Sequence, residues 1–218
     1  MNKAVIFDLD GTLLDSLEDI QDSINGMLKQ FGYKEIDREK ARQVIGSGAK
    51  ELVADALPER LSDGELLKRL DTYNRIYDGS GSPKTKLFDG IKQMLTELKK
   101  RGYKLAVLSN KPQQSIDKIA DKYLNGLGLD IVCGQSENVK CKPDPSGVLY
   151  ILNALGVKTE NAFLVGDGET DVLAAINSRV TGICALWGNR TRTELQAAGG
   201  TLFAEYPSDI INIILGAS

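Results

Sequence analysis

The chain has 218 residues, 42% hydrophobic and 26% charged, with 27 Lys and Arg against 30 Asp and Glu for a net charge of −3. That length allows one large domain, or a core plus a smaller one, around a buried sheet; the weakly acidic balance gives no electrostatic reason for a nucleic-acid or anionic-membrane partner, and no apolar run reaches the roughly 20 residues of a membrane span. The sequence contains no His, which excludes Ser-His and Cys-His nucleophile pairs, His-ligated zinc and phosphohistidine chemistry, and leaves catalysis to carboxylates, Lys and hydroxyls.

Met1-Asn2-Lys3 runs straight into Ala4-Val5-Ile6-Phe7-Asp8-Leu9-Asp10-Gly11-Thr12-Leu13. No room is left for a signal peptide, so the cytoplasm is the expected location. An apolar run of strand length ends in two carboxylates spaced two apart, and in an extended chain such residues point to the same side. Asp8 and Asp10 could therefore reach one site, with Gly11 permitting a sharp turn beneath them. Open α/β sheets place their ligand chemistry at the C-terminal ends of buried parallel strands. Two acids crowded there invite a hard divalent cation, Mg2+ by preference, which takes oxygen ligands and accepts phosphate as a further ligand. The plainer reading is an Asp-Gly turn that only closes the strand.

After Thr12 the period changes. Leu17, Ile20, Ile24, Met27, Leu28 and Phe31 fall at helical spacing, and Asp15-Ser16 offers a cap. Helical patterns follow at 38–45, 49–57 and 62–78, without a convincing strand between Ser16 and Pro83. Asp78-Gly79-Ser80-Gly81-Ser82-Pro83 is rich in turn formers and reads as a return linker. Helix and strand then alternate: helix at 91–98, strand at 104–109, helix at 116–124, strand at 131–133, helix at 145–155, strand at 162–166, helix at 171–178 and strand at 182–186. A helix from Thr191, a weak strand at 201–203 and a helix from Ser208 complete the chain. The expected fold is α/β, a doubly wound parallel sheet formed by residues 1–15 and 84–218, with a small all-α cap domain of residues 16–83 inserted after the first strand.

Three more strand ends carry chemistry-bearing residues. Ser109-Asn110-Lys111-Pro112 closes one strand with a hydroxyl, an amide and backbone N–H groups that could bind a phosphoryl oxygen, or could merely cap a helix. Lys140-Cys141-Lys142-Pro143 follows, where a Lys before Pro is biased toward extended geometry and could neutralise phosphate charge; Lys142 is the first choice and Lys140 the second. Gly166-Asp167-Gly168-Glu169-Thr170-Asp171 ends the last of these strands, and Asp167 and Asp171, four apart, face one site if the turn runs into a helix. A Gly-Asp-Gly loop that only caps that helix is the simpler alternative.

The four stretches, in this order, resemble the four motifs of the haloacid dehalogenase-like hydrolases, and the resemblance covers nearly the whole chain. It implies a Rossmann-like core in which Asp8 is the nucleophile that becomes an aspartyl-phosphate, Asp10 protonates the leaving oxygen and later activates water, and Ser109 and Lys142 complete the catalytic set. It implies Thr12 and Asn110 at the substrate, and Mg2+ held by Asp8, Asp167 and the backbone carbonyl of Asp10, with Asp171 in support. Crowding among acids is expected to help Asp10 hold its proton. An acid at position 10 disfavours the dehalogenase branch, because halide leaves without needing a proton. Gly168 stands where many relatives have Ser.

A helical cap after the first motif is similar to the phosphoglycolate phosphatase-like branch, whose substrates are small phosphorylated metabolites. In that branch a cap loop selects the leaving group, and the candidate is Ile45-Gly46-Ser47-Gly48-Ala49-Lys50. Gly46, Ser47 and Gly48 could meet an anion and Lys50 a carboxylate; a plain helix–helix turn is the alternative. Trp187-Gly188-Asn189-Arg190 also resembles that branch. The implied function is a Mg2+-dependent phosphatase of a small phosphate monoester, 2-phosphoglycolate first. A pyrophosphatase or a phosphosugar phosphatase or mutase is the alternative, and a non-catalytic binding protein is disfavoured by the intact acids. No feature marks an oligomeric state, and Cys133, Cys141 and Cys184, odd in number and without metal-ligand spacing, read as buried or incidental thiols of a reducing compartment.

Overall fold

A computed structural model describes residues 2–216. The chain divides into two compact units, Met1–Leu14 with Leu87–Ser218, and Asp15–Lys86. In chain order the elements are β1 (Ala4–Phe7), β2 (Leu14–Asp15), α1 (Leu17–Gln30), α2 (Arg38–Val44), α3 (Ala49–Ala56), α4 (Asp63–Ser80) and β3 (Lys86–Leu87). They continue with α5 (Ile91–Lys100), β4 (Lys104–Pro112), α6 (Gln113–Ile119), a π-helical turn at Ala120–Leu124, β5 (Ile131–Gln135) and α7 (Ser146–Leu155). A 3-10 turn at Thr159–Asn161, β6 (Ala162–Gly166), α8 (Glu169–Ser178), β7 (Thr181–Ala185), α9 (Arg192–Ala197), β8 (Phe203–Ala204) and α10 (Asp209–Gly216) follow.

The larger unit is built on a six-stranded sheet in the order β5-β4-β1-β6-β7-β8. Every strand pair in it is parallel, as the alternation of helix and strand predicts. β1 lies between β4 and β6, with Phe7 opposite Val107 on one side and Val165 on the other. The two-residue side-chain period assigns its residues to opposite faces. Val5 and Phe7 join the core cluster of Ile91, Leu95, Ile116 and Ile210, while Ala4 and Ile6 join that of Val148, Ile151, Ala174 and Ala175. α5, α6 and α10 thus cover one face, α7 and α8 the other. With water excluded from both, the polar ends of β1, β4 and β6 are where the chain can hold charged chemistry.

The smaller unit is helical between its terminal strand residues. Ile20, Ile24, Met27 and Leu28 of α1 pack against Val53, Tyr73 and Tyr77. α4 runs past the expected boundary at Asp78 into Gly79-Ser80, so the return linker begins only at Gly81, which adopts the left-handed conformation with φ of 67°. Gly79 costs the helix about 1 kcal/mol relative to Ala, and the buried, stacked Tyr73–Tyr77 pair one turn earlier anchors that end against the core. A second feature was invisible in the periodicity. Asp19 is buried, and its carboxylate accepts from the Lys84 amide at 3.0 Å and from the Thr85 amide and hydroxyl, each at 2.6 Å, tying the return segment to α1.

β2 and β3 form a two-residue ribbon that carries no periodic signal and was not expected. The last strand lies at Phe203–Ala204 rather than 201–203, because its register is set by Cys184 and Ala185 of β7. Among the described residues no helix is long and apolar enough to cross a membrane.

Asp130, at the entrance to β5, accepts from Lys99 Nζ at 2.9 Å and the Leu105 amide at 2.8 Å. Its partial burial acts to raise the carboxyl, but the hydrogen bonds from Lys99 and Leu105, with the Lys99 and Lys104 charges, outweigh it and hold the group below its ordinary value. A carboxyl lowered by folding stabilises above its unfolded pKa and ceases to do so as pH falls through the folded value. Asp130→Ala should therefore cost about 1–2 kcal/mol at pH 7, and denaturant melts should show the difference from wild type shrinking steadily below about pH 4.

Candidate active site

Three of the four sequence motifs of the larger unit end strands of the central sheet, while Lys142 lies in the segment between β5 and α7. β1 delivers Asp8, whose amide donates to Val165 O of β6 at 2.8 Å. The chain then folds back on itself, with the Leu13 and Leu14 amides both donating to Leu9 O at 2.9 Å and Gly11 at φ of 86° making the turn. β4 delivers Ser109, Asn110 and Lys111 within its last four residues. β6 delivers Asp167, and α8 begins two residues later with Asp171 in its first turn.

Lys142 is the charge at the centre. It is buried, and its ammonium donates to Asp8 Oδ1 and Asp171 Oδ1, each at 2.6 Å, and to Leu108 O at 3.0 Å. Three donors meet three acceptors, so the ammonium is fully satisfied. Burial alone would lower its pKa; the Asp171 and Asp8 carboxylates overcome that and raise it above the ordinary lysine value. Asn110 orients the backbone that carries it, accepting from the Lys142 amide at 2.6 Å and donating to Lys142 O at 3.1 Å.

Asp8, Asp167 and Asp171 each present a carboxylate oxygen within 4.8 Å of the others. Burial pushes the Asp8 carboxyl well above its ordinary value, with Lys142 pulling it down and Asp171 and Asp167 adding repulsion. Asp167 is pushed up to about 6 by burial and then by Asp171, against the hydrogen bonds from Asn189 and Thr12. Three buried acids against one ammonium are short of positive charge. An all-oxygen donor set of this kind fits a hard divalent cation.

The positions expected from sequence fall into three sets. Asp8, Lys142, Asp167 and Asp171 converge directly. Thr12 is wholly buried and its hydroxyl donates to Asp167 Oδ1 at 2.9 Å; Ser109, also buried, accepts from the Lys111 amide at 3.3 Å. Asp10 is not one of the three clustered acids, and its Oδ2 pairs with Lys111 Nζ at 2.6 Å. Gly46, Ser47, Gly48 and Lys50 belong to the Asp15–Lys86 unit, where Gly46 and Gly48 have φ of 114° and 101°, Gly48 caps α3 and Lys50 is exposed.

Two further features carry the site without having been counted among its expected site residues. One is Lys111. The other is the loop after β7, which grips the motifs from outside: Trp187 Nε1 donates to Thr12 O at 2.9 Å, the Asn189 amide to Asp167 Oδ2 at 2.7 Å, and Arg190 Nε to both Glu169 carboxylate oxygens at 2.9 Å. The available signal was positional, since this loop, like the motifs, leaves the C-terminal end of a parallel strand.

A profile of the haloacid dehalogenase-like hydrolases matches residues 5–185. Phosphoglycolate phosphatase 1 of Pseudomonas aeruginosa is 34% identical over 178 residues, covering 79% of this chain and 65% of the relative. Phosphoglycolate phosphatase of Aquifex aeolicus is 32% identical over 213 residues, 97% of this chain and 96% of the relative. A solved structure from Lactobacillus delbrueckii subsp. bulgaricus, provisionally named a phosphoglycolate phosphatase, superposes with a TM-score of 0.92 at 28% identity over 99% of this chain and 100% of that one.

The grip of the loop on Asp167 depends on a missing side chain. A Cβ on Gly188 would overlap Asp167 Cβ and Gly11 O, whereas one on Gly168 would lie 3.3 Å from Asp171 Oδ2, a contact that small shifts relieve. Gly188→Ala is expected to cost about 1–3 kcal/mol and lower Tm by roughly 2–12 °C. Gly168→Ser should stay within about 1 kcal/mol of wild type. Thermal melts of the two variants side by side check both expectations.

Proposed function

Because the chain belongs to the haloacid dehalogenase-like hydrolases, we propose that it is a Mg2+-dependent phosphatase of small phosphate monoesters, with 2-phosphoglycolate the first substrate to consider. The observation that carries this reading is the buried Lys142 ammonium bridging Asp8, which follows β1, and Asp171, in the first turn of α8, beside Asp167. The names of the curated relatives point to phosphoglycolate as the substrate.

In this reading Asp8 attacks phosphorus in line with the ester oxygen. The bond from phosphorus to that oxygen breaks as the bond to the Asp8 carboxylate forms, and Asp10 gives the departing alkoxide its proton. Asp10, now ionised, takes a proton from the water that attacks the phosphorus of the acyl phosphate, which restores Asp8 and releases inorganic phosphate. Lys142 holds Asp8 by one carboxylate oxygen and offsets charge as the phosphoryl group arrives. In the same reading Ser109, at the end of β4, contacts a phosphoryl oxygen. Thr12 and Asn110 act by holding Asp167 and the Lys142 backbone, the contacts that their side chains make.

Asp8, Asp167 and the Asp10 carbonyl would hold Mg2+ with Asp171 in support, and the bound cation would supply the positive charge that lets a dianionic phosphoryl group approach buried acids. The proposal extends to Gly46, Ser47, Gly48 and Lys50 of the helical unit as substrate contacts.

Phosphate release should be measured with Mg2+ from 2-phosphoglycolate, pyrophosphate, and sugar and nucleoside monophosphates, with EDTA as control. The expected result is a preference for 2-phosphoglycolate that EDTA abolishes; turnover undiminished by EDTA rules out the metal. Asp8→Asn should lower kcat at least about 10³-fold with an unchanged melting profile, and retained activity would remove Asp8 as the nucleophile. Lys50→Ala is expected to raise KM for 2-phosphoglycolate about 10-fold, measured from initial rates.

A further inference from the structure

Two lysines reach the acids of this site, and they differ in exposure and in the acid they touch. Lys142 has its three donors on three protein acceptors, and its side chain is 2% exposed. It is fixed charge, built into the site. Lys111 lies two residues after Ser109 at the end of β4, with its side chain 16% exposed and its ammonium 2.6 Å from Asp10 Oδ2. That ammonium is a point charge on a flexible four-carbon stem, able to turn toward a second acceptor while keeping Asp10 in range.

Its place beside Asp10 locates it relative to a substrate. In the phosphatase reading, on which this inference rests, Asp10 meets the ester oxygen on the leaving-group side of phosphorus. A cation hydrogen-bonded to Asp10 therefore faces the atoms that follow the ester oxygen, not the phosphoryl oxygens. At a partly desolvated position a cation discriminates strongly by charge. In the step where Asp10 holds the proton for the ester oxygen, a carboxylate on the carbon next to the ester supplies counter-charge to the Lys111 ammonium, and a neutral alcohol supplies none.

We propose that Lys111 is a specificity-determining cation of the core unit, recognising a carboxylate carried by the leaving group through the same ammonium that contacts Asp10. The favoured substrates are then phosphate esters of short 2-hydroxy acids, and esters of uncharged alcohols of equal length are poor ones. Lys111 contacts the departing fragment, while Lys142 and the acids around it serve the phosphoryl group.

The test compares 2-phosphoglycolate with 2-hydroxyethyl phosphate, which replaces the carboxylate by an uncharged hydroxymethyl group. Both leaving groups are alkoxides that need the Asp10 proton, so a disturbance of Asp10 lowers both rates together and cancels in their ratio. In Lys111→Gln and in Lys111→Met the ratio of kcat/KM for the two esters should fall about 10- to 100-fold from its wild-type value, the worth of one charge-assisted hydrogen bond. Lys111→Arg, which keeps a cation, should retain most of the ratio. Melting profiles identify the folded variants, and two charge-neutral replacements keep the test alive if one of them fails to fold. A ratio that stays within about threefold of wild type in both neutral variants, whether through equal losses on the two esters or no loss on either, overturns the assignment and leaves the phosphatase reading intact. Wild-type protein that turns over neither ester overturns the assignment, and the phosphatase reading falls with it only when the wider panel of phosphate esters releases no phosphate either.

Discussion

A lysine ammonium sealed among carboxylates organises this molecule. Lys142 is 3% exposed, and an isolated buried charge would cost several kcal/mol. It is stable because β1, β4 and α8 each bring it an acceptor at hydrogen-bond distance: Asp8, the Leu108 carbonyl and Asp171. The dependence is mutual. Asp8 and Asp171 are themselves buried, and without the ammonium two like charges would face each other in a dry site. Lys142 thus joins three elements far apart in sequence and sets where the nucleophile candidate points.

The sheet supplies the rigidity that this arrangement requires. β1 has no solvent-exposed residue and is held on both sides by parallel partners, with Phe7 matched to Val107 and Val165. Its two side-chain faces belong to two different core clusters, so displacing the strand end that carries Asp8 would disturb packing on both sides of the sheet at once. Placing a charged group at the end of so constrained a strand fixes its position with little further machinery.

Around the buried charge lies a ring of residues that touch the acids and hold them. Thr12 and the Asn189 amide take the two oxygens of Asp167, Gly168 donates to Asp171 Oδ2 at 3.0 Å, and Asn110 clasps the Lys142 backbone. The loop that supplies Asn189 can come this close only because Gly11 and Gly188 carry no Cβ. In the proposed phosphatase reading this geometry has a purpose, because a nucleophilic carboxylate and its neighbouring acids must stay apart by a fixed distance while phosphoryl charge enters.

The sequence by itself determined the class of fold and the convergence of the principal acids. Helix and strand periods alternate plainly from residue 91 onward, and a parallel sheet leaves its chemistry at strand ends, so Asp8, Asp167 and Asp171 were legible as a set once those ends were located, whereas Lys142 was legible only through the family resemblance. It also carried the helical character of the segment from Leu17 to Tyr77 in the spacing of its apolar residues. Tertiary structure decided which charge meets which. Asp10 pairs with Lys111 across 101 positions and Thr12 with Asp167 across 155, and no local period records such distances. Asp19 read as one more charge on a helix until its three donors arrived from residues 84 and 85. Apolar burial is repetitive and leaves a pattern along the chain. A hydrogen bond between distant side chains depends only on where the folded backbone brings two atoms together, and that is known only once the whole sheet is assembled.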